Sequence, residues 1–448
     1  MKLSIICYLS DDKKLNQTTV EALEKMASYS LEHDNHVTVE GKHVDKKYNN
    51  GKKDSVTASY EVEVVLNTDR VQDDRSWYEN IITRIGNHAF TSKVDKETYA
   101  SEQDAHQKMA EKASGDYIMI IHAGDDISSN LAEVFVKGNV QCYDMDTYMI
   151  TKAFHDETFG AFRNYKKVTD GEDIKSFYII DLKSKYDCFP FGFGGVIIRA
   201  EVFKKQSVDP ALGLEAERDF MLRLMAKSMK TCFLPYATLT AYEYEEHDNI
   251  FYRGLYMREW YFESITDFWM PFLQEMKVTY GSIPVFIQYN FMYSVMARFN
   301  GNMDNKNKHV IEEGHGEEYL ELIGQALRLI EENIMLNRNK VVDCITGDTM
   351  KWVYGILRNG KDYKFERFFL AGKIYYGIGD TLFNSLMSLS TNILFINYRD
   401  GMLEIDGTVH PILYSMVDEV YFRYNNKKYK IQYTERYGLT KAFGAAIC

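Results

Sequence analysis

Two adjacent carboxylates, Asp125 and Asp126, follow an unbroken apolar run from Tyr117 to Ile121 in the segment SGDYIMIIHAGDDISSN. A run of that kind reads as a strand buried on both faces of a helix-covered parallel sheet. In open α/β sheets, ligands bind beyond the carboxyl ends of the strands. Paired acids in a Gly-flanked turn at that edge suit a divalent cation holding a diphosphate. The same residues also suit a plain acidic turn in which Asp126 caps a helix starting near Ser128. Two more segments carry residues able to do chemistry. In FPFGFGGVIIR, Phe189 to Arg199, the glycines Gly192, Gly194 and Gly195 precede a strand and permit close backbone approach. That loop reads either as the wall where an acceptor enters or as a simple bend. In GLEAERDFMLRL, Gly213 to Leu224, the residues Phe220, Met221 and Leu224 form the buried stripe of a helix. Glu217 stands near its start, where a carboxylate is favoured in any case. Projected into a cleft, it could serve as a general base toward a hydroxyl. Asp219 lies four residues before Arg223, the spacing of a surface ion pair.

The elements that must position these residues alternate. Leu3 to Leu9 reads as a first strand and Thr18 to Leu31 as a helix with apolar residues at Val20, Leu23, Met26 and Leu31. Val62 to Leu66 is a second strand, Ile81 to Ile85 a third candidate, and Ser101 to Ala113 a helix feeding the apolar run at Tyr117. Tyr148 to Phe154, Gly195 to Ile198 and Cys232 to Leu234 complete the strand candidates. Interleaved strands and helices imply an α/β domain over residues 1–250 with a mostly parallel sheet. The Lys-rich stretch from Gly41 to Ser59 reads as an inserted loop or hairpin. Residues 251–388 read as an aromatic-rich helical region, with amphipathic spacing from Glu317 to Asn333 and helical character from Val341 to Leu357. Residues 389–448 read as β-strands, with hairpins around Arg399-Asp400-Gly401 and Asn425-Asn426-Lys427. Four strands are few for an independent β domain, so the tail reads as part of a β-sandwich, with the chain cut within it or just after it.

Composition bounds the rest. The chain has 448 residues, a length that suits about two to three domains. A net charge of -12 argues against nucleic acid as the main partner. The six cysteines form neither a CxxC nor a Cys/His cluster of zinc spacing, and Cys7, Cys142 and Cys232 sit in or beside apolar runs, which suits a reducing cytosol. The opening KLSIICYL has too short an apolar run for a signal peptide, and no window is long enough to span a bilayer. Aromatics reach 14%, with 33 Tyr; their planar faces suit sugar rings as well as protein cores.

Taken together, LSIICYL, the aspartate turn after GDYIMII, GFGGVIIRAEVF, AERDFMLRL and FLPYATLTAYEYEEH resemble, in order and spacing, the family 2 glycosyltransferases of GT-A fold. SIPVFIQYNFMYSVMARF resembles a segment of Firmicute capsule, surface-polysaccharide and teichoic-acid transferases. NILFINYRDGMLEIDGTVHP resembles the β-sandwich modules that follow such catalytic domains. The resemblance implies a Rossmann-like catalytic domain that holds a nucleotide-sugar donor through Mn²⁺ or Mg²⁺. Its Asp-x-Asp turn maps its second acid onto Asp125, followed by Asp126; Ala123 occupies the first position. The catalytic acid maps onto Glu217, preceded by Ala216 where the family has another acid, and Asp219 is the runner-up. Tyr8 and Ser10 fall where the first strand meets the nucleotide, and Asn67 or Asp69 where the family contacts the base. Phe193, Gly194 and Gly195 fall on the acceptor side, and His247 where a late loop reaches the diphosphate or metal.

The function implied is inverting transfer of a sugar from a nucleoside-diphosphate donor, a UDP-sugar, to a cell-surface polysaccharide or teichoic-acid-type acceptor. A carbohydrate or lipid-linked glycan acceptor implies a cytoplasmic enzyme working at the inner membrane face, in peripheral association with it. The aromatic helices and the β tail are surfaces that a second copy of the chain could cover, as in a homo-oligomer. The departures at Ala123, Ala216 and Asn67 keep open a non-catalytic GT-A-like binding or scaffold module, and one module of a larger polymerase is a third reading.

Overall fold

The computed structural model describes the chain except residues 34, 42–53, 72–74, 87–89, 143–144, 155–176, 187–188, 242–253, 304–309, 312–313, 337–347, 361, 379–380, 390, 417–418, 420, 431–440, 444 and 447–448. The chain divides into two compact units: Met1–Gly254 with Pro284–Asn290, and Leu255–Ile283 with Phe291–Cys448.

The first unit opens with strand β1 (Lys2–Tyr8) and helix α1 (Lys13–His33), then the hairpin β2 (His36–Gly41) and β3 (Asp54–Ser59). It continues with β4 (Glu61–Asn67), α2 (Arg75–Ile85), β5 (Phe90–Asp95), α3 (Glu102–Lys112) and β6 (Tyr117–His122). After β7 (Asp125–Ile127) come α4 (Leu131–Cys142), β8 (Thr147–Phe154), β9 (Tyr178–Asp181), β10 (Val196–Arg199), α5 (Ala216–Ser228) and β11 (Lys230–Ala241). The strands form one nine-stranded sheet in the order β5-β4-β1-β6-β10-β8-β11-β7, with β9 on β11. Neighbours from β5 through β6 are parallel, as are β8 and β11; β10 is antiparallel to both β6 and β8. This is the α/β architecture, with a mostly parallel sheet, that the alternating pattern implied.

Burial explains why these segments are strands. Residues Leu3 to Tyr8 and Tyr117 to Ile121 are buried throughout, including both faces, because helices cover the sheet on each side. The helix α1 buries Leu15, Val20, Leu23 and Met26 on one stripe. Helix α3 starts where the Ser101 hydroxyl accepts from Asp104 N–H, an N-cap that fixes its first turn.

Three expectations differ from the fold. Ile81 to Ile85, read as a strand, is the end of α2: Tyr78, Ile81, Ile82 and Ile85 are buried at helical spacing. The strand β5 that follows it was missed, since FTSKVD alternates weakly. Asp126 caps no helix; it lies in β7, and the next helix starts at Leu131.

In the second unit, α6 (Met270–Tyr280) stops at Gly281, whose φ of 78 favours glycine. It is followed by α7 (Val285–Met303, which begins in the first unit), α8 (Gly316–Leu327) and α9 (Asp348–Asn359). The buried Arg298 guanidinium donates to Trp260 O at 2.6 Å and to Ser264 Oγ at 2.8 Å, tying two aromatic-rich segments together. The strands β12 (Glu366–Leu370), β13 (Lys373–Ile378) and β14 (Thr381–Ser385) form an antiparallel sheet within the stretch read as helical. Dense aromatics in ERFFLAGKIYYGI hid its alternation. Next come the hairpins β15 (Thr391–Arg399) with β16 (Met402–Val409), and β17 (Tyr421–Tyr424) with β18 (Lys427–Lys430). Asn425 and Asn426 both have positive φ at the second turn, as a two-residue type I′ loop requires. Among the described residues, no helix is long and apolar enough to cross a membrane.

Candidate functional site

Parallel register sets a row of residues at one sheet edge. Tyr8, last in β1, pairs with Asn67 of β4 and with His122 of β6, and Asn67 pairs with Asp95 of β5. These are carboxyl ends, where open α/β sheets bind ligands.

On the β4 and β5 side, Asn67 is buried and engaged. Its amide donates to Asp95 Oδ2 at 3.1 Å and Glu97 O at 2.9 Å, and its Oδ1 accepts from Asp69 N–H at 3.0 Å. Asp69 accepts from Thr98 Oγ1 at 2.8 Å. Asn67 and Asp69 therefore shape the loop beyond β4. The Tyr8 ring meets Tyr99 edge-on at 6.4 Å, and the Arg70 guanidinium lies 4.8 Å from its centroid. Burial raises the Tyr8 phenol above its ordinary value. Burial would also raise Asp95, but hydrogen bonds from Tyr99 and Asn67 hold it below the usual carboxylate range. Ser10 is locked to Asn16: its N–H donates to Asn16 Oδ1 at 3.0 Å, and its carbonyl accepts from Asn16 Nδ2 at 2.7 Å. This closes the turn from β1 into α1.

The aspartate turn follows β6. Gly124 has φ 98, a left-handed conformation that glycine adopts freely, and its N–H donates to Thr19 Oγ1 at 2.9 Å. Asp125 Oδ2 accepts from His122 N–H at 2.8 Å and lies 3.7 Å from His122 Nδ1. Successive residues in a strand point to opposite faces. Asp126 thus turns away from Asp125, toward the charges of Glu21 and Lys25 on α1, and burial raises its carboxyl. The two acids, read as one ion's ligands, are separated by the strand that holds them.

Glu217, in the first turn of α5, comes to the same edge. Its Oε1 lies 3.0 Å from His122 Nε2 and 3.5 Å from His106 Nδ1, and its Oε2 accepts from Phe193 N–H at 3.0 Å. Its side chain is 18% exposed, so a ligand can reach it. Burial alone would raise the carboxyl; the charge and hydrogen bond of His122, with the His106 ring beside it, outweigh this and hold it well below the ordinary value. His122 moves the other way: burial would lower it, but Glu217 and Asp125 hold it well above the usual histidine range. The two form an ion pair at neutral pH.

The glycines make room for this arrangement. A Cβ on Gly192 would stand 2.6 Å from Glu217 Oε2, and one on Gly194 2.6 Å from Lys152 Nζ. Gly195 has φ 79. The Phe193 ring packs inward against Phe203 and Phe220, at 5.7 and 5.3 Å, leaving its N–H to orient Glu217. Asp219 stands apart, gripping Arg223 Nε with both oxygens at 2.8 and 3.0 Å. His247 lies outside the described residues.

The structure adds two residues that the sequence reading did not single out. Glu102 and His106 stand at i and i+4 on α3, with His106 Nε2 3.9 Å from Glu102 Oε1. That spacing, on the helix feeding β6, was the signal available. Glu102, His106 and His122 each offer a ligand atom within 4.8 Å of the others, the one such group of three or more metal-ligating side chains among the described residues.

No protein-family model matches the chain, and no curated protein does. Solved structures do. A crystal structure of S. aureus TarS, residues 1–349, superposes with a TM-score of 0.51 at 10% identity, covering 86% of this chain and 99% of that one. A second S. aureus TarS structure gives 0.48 at 11% identity, covering 91% of this chain and 64% of that one. The 1–349 form in complex with UDP-GlcNAc gives 0.48 at 11%, covering 86% and 99%. At such identities the likeness to the first shows the fold, which is the GT-A fold that the sequence resembles.

Proposed function

We propose that this chain is an inverting glycosyltransferase that moves a sugar from a nucleoside-diphosphate donor, a UDP-sugar, to a cell-surface polysaccharide or teichoic-acid-type acceptor. The observation that carries the proposal is Glu217: an ionised carboxylate at the carboxyl edge of a GT-A sheet, oriented by His122 on one oxygen and Phe193 N–H on the other. The UDP-GlcNAc complex of TarS supports the donor class.

Tyr8 and the loop of Asn67 and Asp69 form the nucleotide side of the site, and the Gly192-to-Gly195 loop the acceptor side. Residues 1–250 carry the chemistry. The Asp125 edge fits a divalent cation: its Oδ2 is engaged by His122, while Oδ1 has no hydrogen-bond partner among the described residues. A hard carboxylate oxygen suits Mn²⁺ or Mg²⁺. When bound there, such an ion supplies neutralisation of the diphosphate charge. Glu217 takes the proton from the acceptor hydroxyl as that oxygen attacks the anomeric carbon from the face opposite the leaving group. A weakly basic carboxylate suits this step, because the hydroxyl becomes strongly acidic only as the new bond forms. His122 and Phe193 N–H fix the carboxylate in place, so no reorganisation is needed at the moment of transfer.

The test is Glu217→Gln with UDP-GlcNAc, UDP-glucose and UDP-GalNAc, following UDP release and donor affinity. Turnover is expected to fall by about 10²–10⁴-fold, the usual contribution of a positioned base, with donor affinity retained. Unchanged turnover would overturn the role. One observation favours a rival, a non-catalytic GT-A-like module: both oxygens of Glu217 are already engaged. Wild-type protein that binds donor yet releases no UDP with any of the three sugars supports that rival.

A further inference from the structure

The most unusual group at this edge is His106. Its side chain is fully buried, yet neither ring nitrogen makes a hydrogen bond. Buried polar atoms without partners are rare in native proteins and call for an explanation. The nearest polar atoms, Glu102 Oε1 at 3.9 Å and Glu217 Oε1 at 3.5 Å, lie beyond good hydrogen-bond reach. The His122 ring stands edge-on, 5.5 Å away between centroids. The nitrogens of His106 thus face two carboxylates, each held slightly too far off for direct bonding, with a second imidazole alongside.

That spacing suits an ion placed among them. Ligands about 2.0–2.2 Å from a shared tetrahedral metal sit roughly 3.4 Å apart. The 3.9 Å between His106 Nε2 and Glu102 Oε1 needs about 0.5 Å of closure to reach that spacing, and the widest pair, within 4.8 Å, needs up to about 1.4 Å, which side-chain rotation can supply. Glu102 and His106 are pre-positioned by one helix turn whose start is fixed by the Ser101 cap. His122 is fixed by the end of β6 and by its N–H to Asp125, and it gives up a ring proton when the metal binds.

We infer that Glu102, His106 and His122 form a transition-metal site, distinct from the Asp125 edge that would serve the donor diphosphate. Two imidazoles and a carboxylate select Zn²⁺ or Co²⁺ over Mg²⁺, which prefers all-oxygen ligands. The site is built by the protein alone and needs no nucleotide. Glu217 Oε1 faces His106 Nδ1, the ring nitrogen other than the one that faces Glu102, and is not counted among the ligands.

The test is metal content and affinity without nucleotide. Metal-stripped wild-type protein is dialysed against ZnCl₂, CoCl₂ or MgCl₂, and bound metal is measured by mass spectrometry with calorimetric titration. About one Zn²⁺ per chain is expected, with no measurable Mg²⁺, and a visible Co²⁺ absorption band of the low-coordinate, nitrogen-containing kind. His106→Ala and His122→Ala should each weaken Zn²⁺ binding at least ~10-fold, and Glu102→Gln should weaken it too. Circular dichroism checks that each variant is folded. X-ray absorption of the wild-type Co²⁺ form reads nitrogen ligands even where a variant fails to fold. Wild-type protein that retains no Zn²⁺, or folded His106→Ala and His122→Ala variants that bind it as wild type does, would overturn the site. Because no donor is present, either result leaves the proposed role of Glu217 to its own test.

Discussion

Gly192→Ala separates catalysis from stability at this site. The added Cβ would stand 2.6 Å from Glu217 Oε2, where ordinary contact begins at 3.4 Å, so the carboxylate must withdraw by about 0.8 Å. The next nearest atoms also belong to Glu217, at 3.5 and 3.8 Å, so the strain falls on one side chain rather than on the backbone. Withdrawal breaks the 3.0 Å bond from Phe193 N–H and turns Oε1 away from His122 Nε2. The cost to the fold is that of one partly exposed hydrogen bond, about 1 kcal/mol, or a fall in melting temperature of about 2–4 °C. The cost to transfer is larger, because a misplacement near 1 Å at the reacting group costs about 10²-fold in rate. Steady-state UDP release, donor titration and thermal melting on one preparation read all three quantities. Turnover should fall about 10²-fold with donor affinity held. Wild-type turnover in a folded Gly192→Ala protein would refute the placement of Glu217 as the base.

His122→Ala should move the acid limb of kcat/KM upward, measured in Mg²⁺ buffers free of transition metals. Glu217 must be ionised to act; its depressed value keeps it ionised below the ordinary value of about 4.3, and without the imidazolium the burial that remains raises it instead. The same pair stabilises the fold while both partners are charged. That contribution fades as acid protonates Glu217 below about 4.3, and as rising pH takes the His122 proton beyond its ordinary value near 6.5. Chemical denaturation across pH should show the window in wild type and its absence in the variant. Asp219→Asn should instead act on stability: Asn keeps one acceptor oxygen for the Arg223 Nε–H but loses the charge of the pair, at about 1 kcal/mol, with turnover within about threefold of wild type at permissive temperature. A large loss of turnover without loss of stability would make Asp219, not Glu217, the acting acid.

The sequence made the sheet edge legible because long buried runs such as YIMII need no partner to be recognised. It also brought Glu217 and the aspartate turn to one edge, since both flank strongly patterned elements. It could not show that Asp125 and Asp126 diverge, because whether a short acidic turn becomes a strand depends on pairing with β11, a contact made across more than a hundred residues. Nor could it show His106, whose importance comes from burial beside residues far along the chain. The resemblance places Asn67 and Ser10 at the nucleotide, and the intramolecular bonds that hold each in its loop exist only once the chain is folded. In the second unit, the aromatics fit sugar rings and cores equally well in the sequence; Trp260 and Trp269 prove to be buried, and the same aromatic density hid the strands that begin at Glu366.

The central claim, a nucleotide-sugar site at the carboxyl edge of this sheet, is tested most directly by calorimetric titration of UDP and UDP-GlcNAc with and without Mn²⁺ or Mg²⁺. Saturable binding is predicted, strengthened by the metal, weakened at least ~10-fold by Asp125→Ala and retained by Glu217→Gln. Absence of binding by any nucleoside diphosphate, with or without metal, would contradict it.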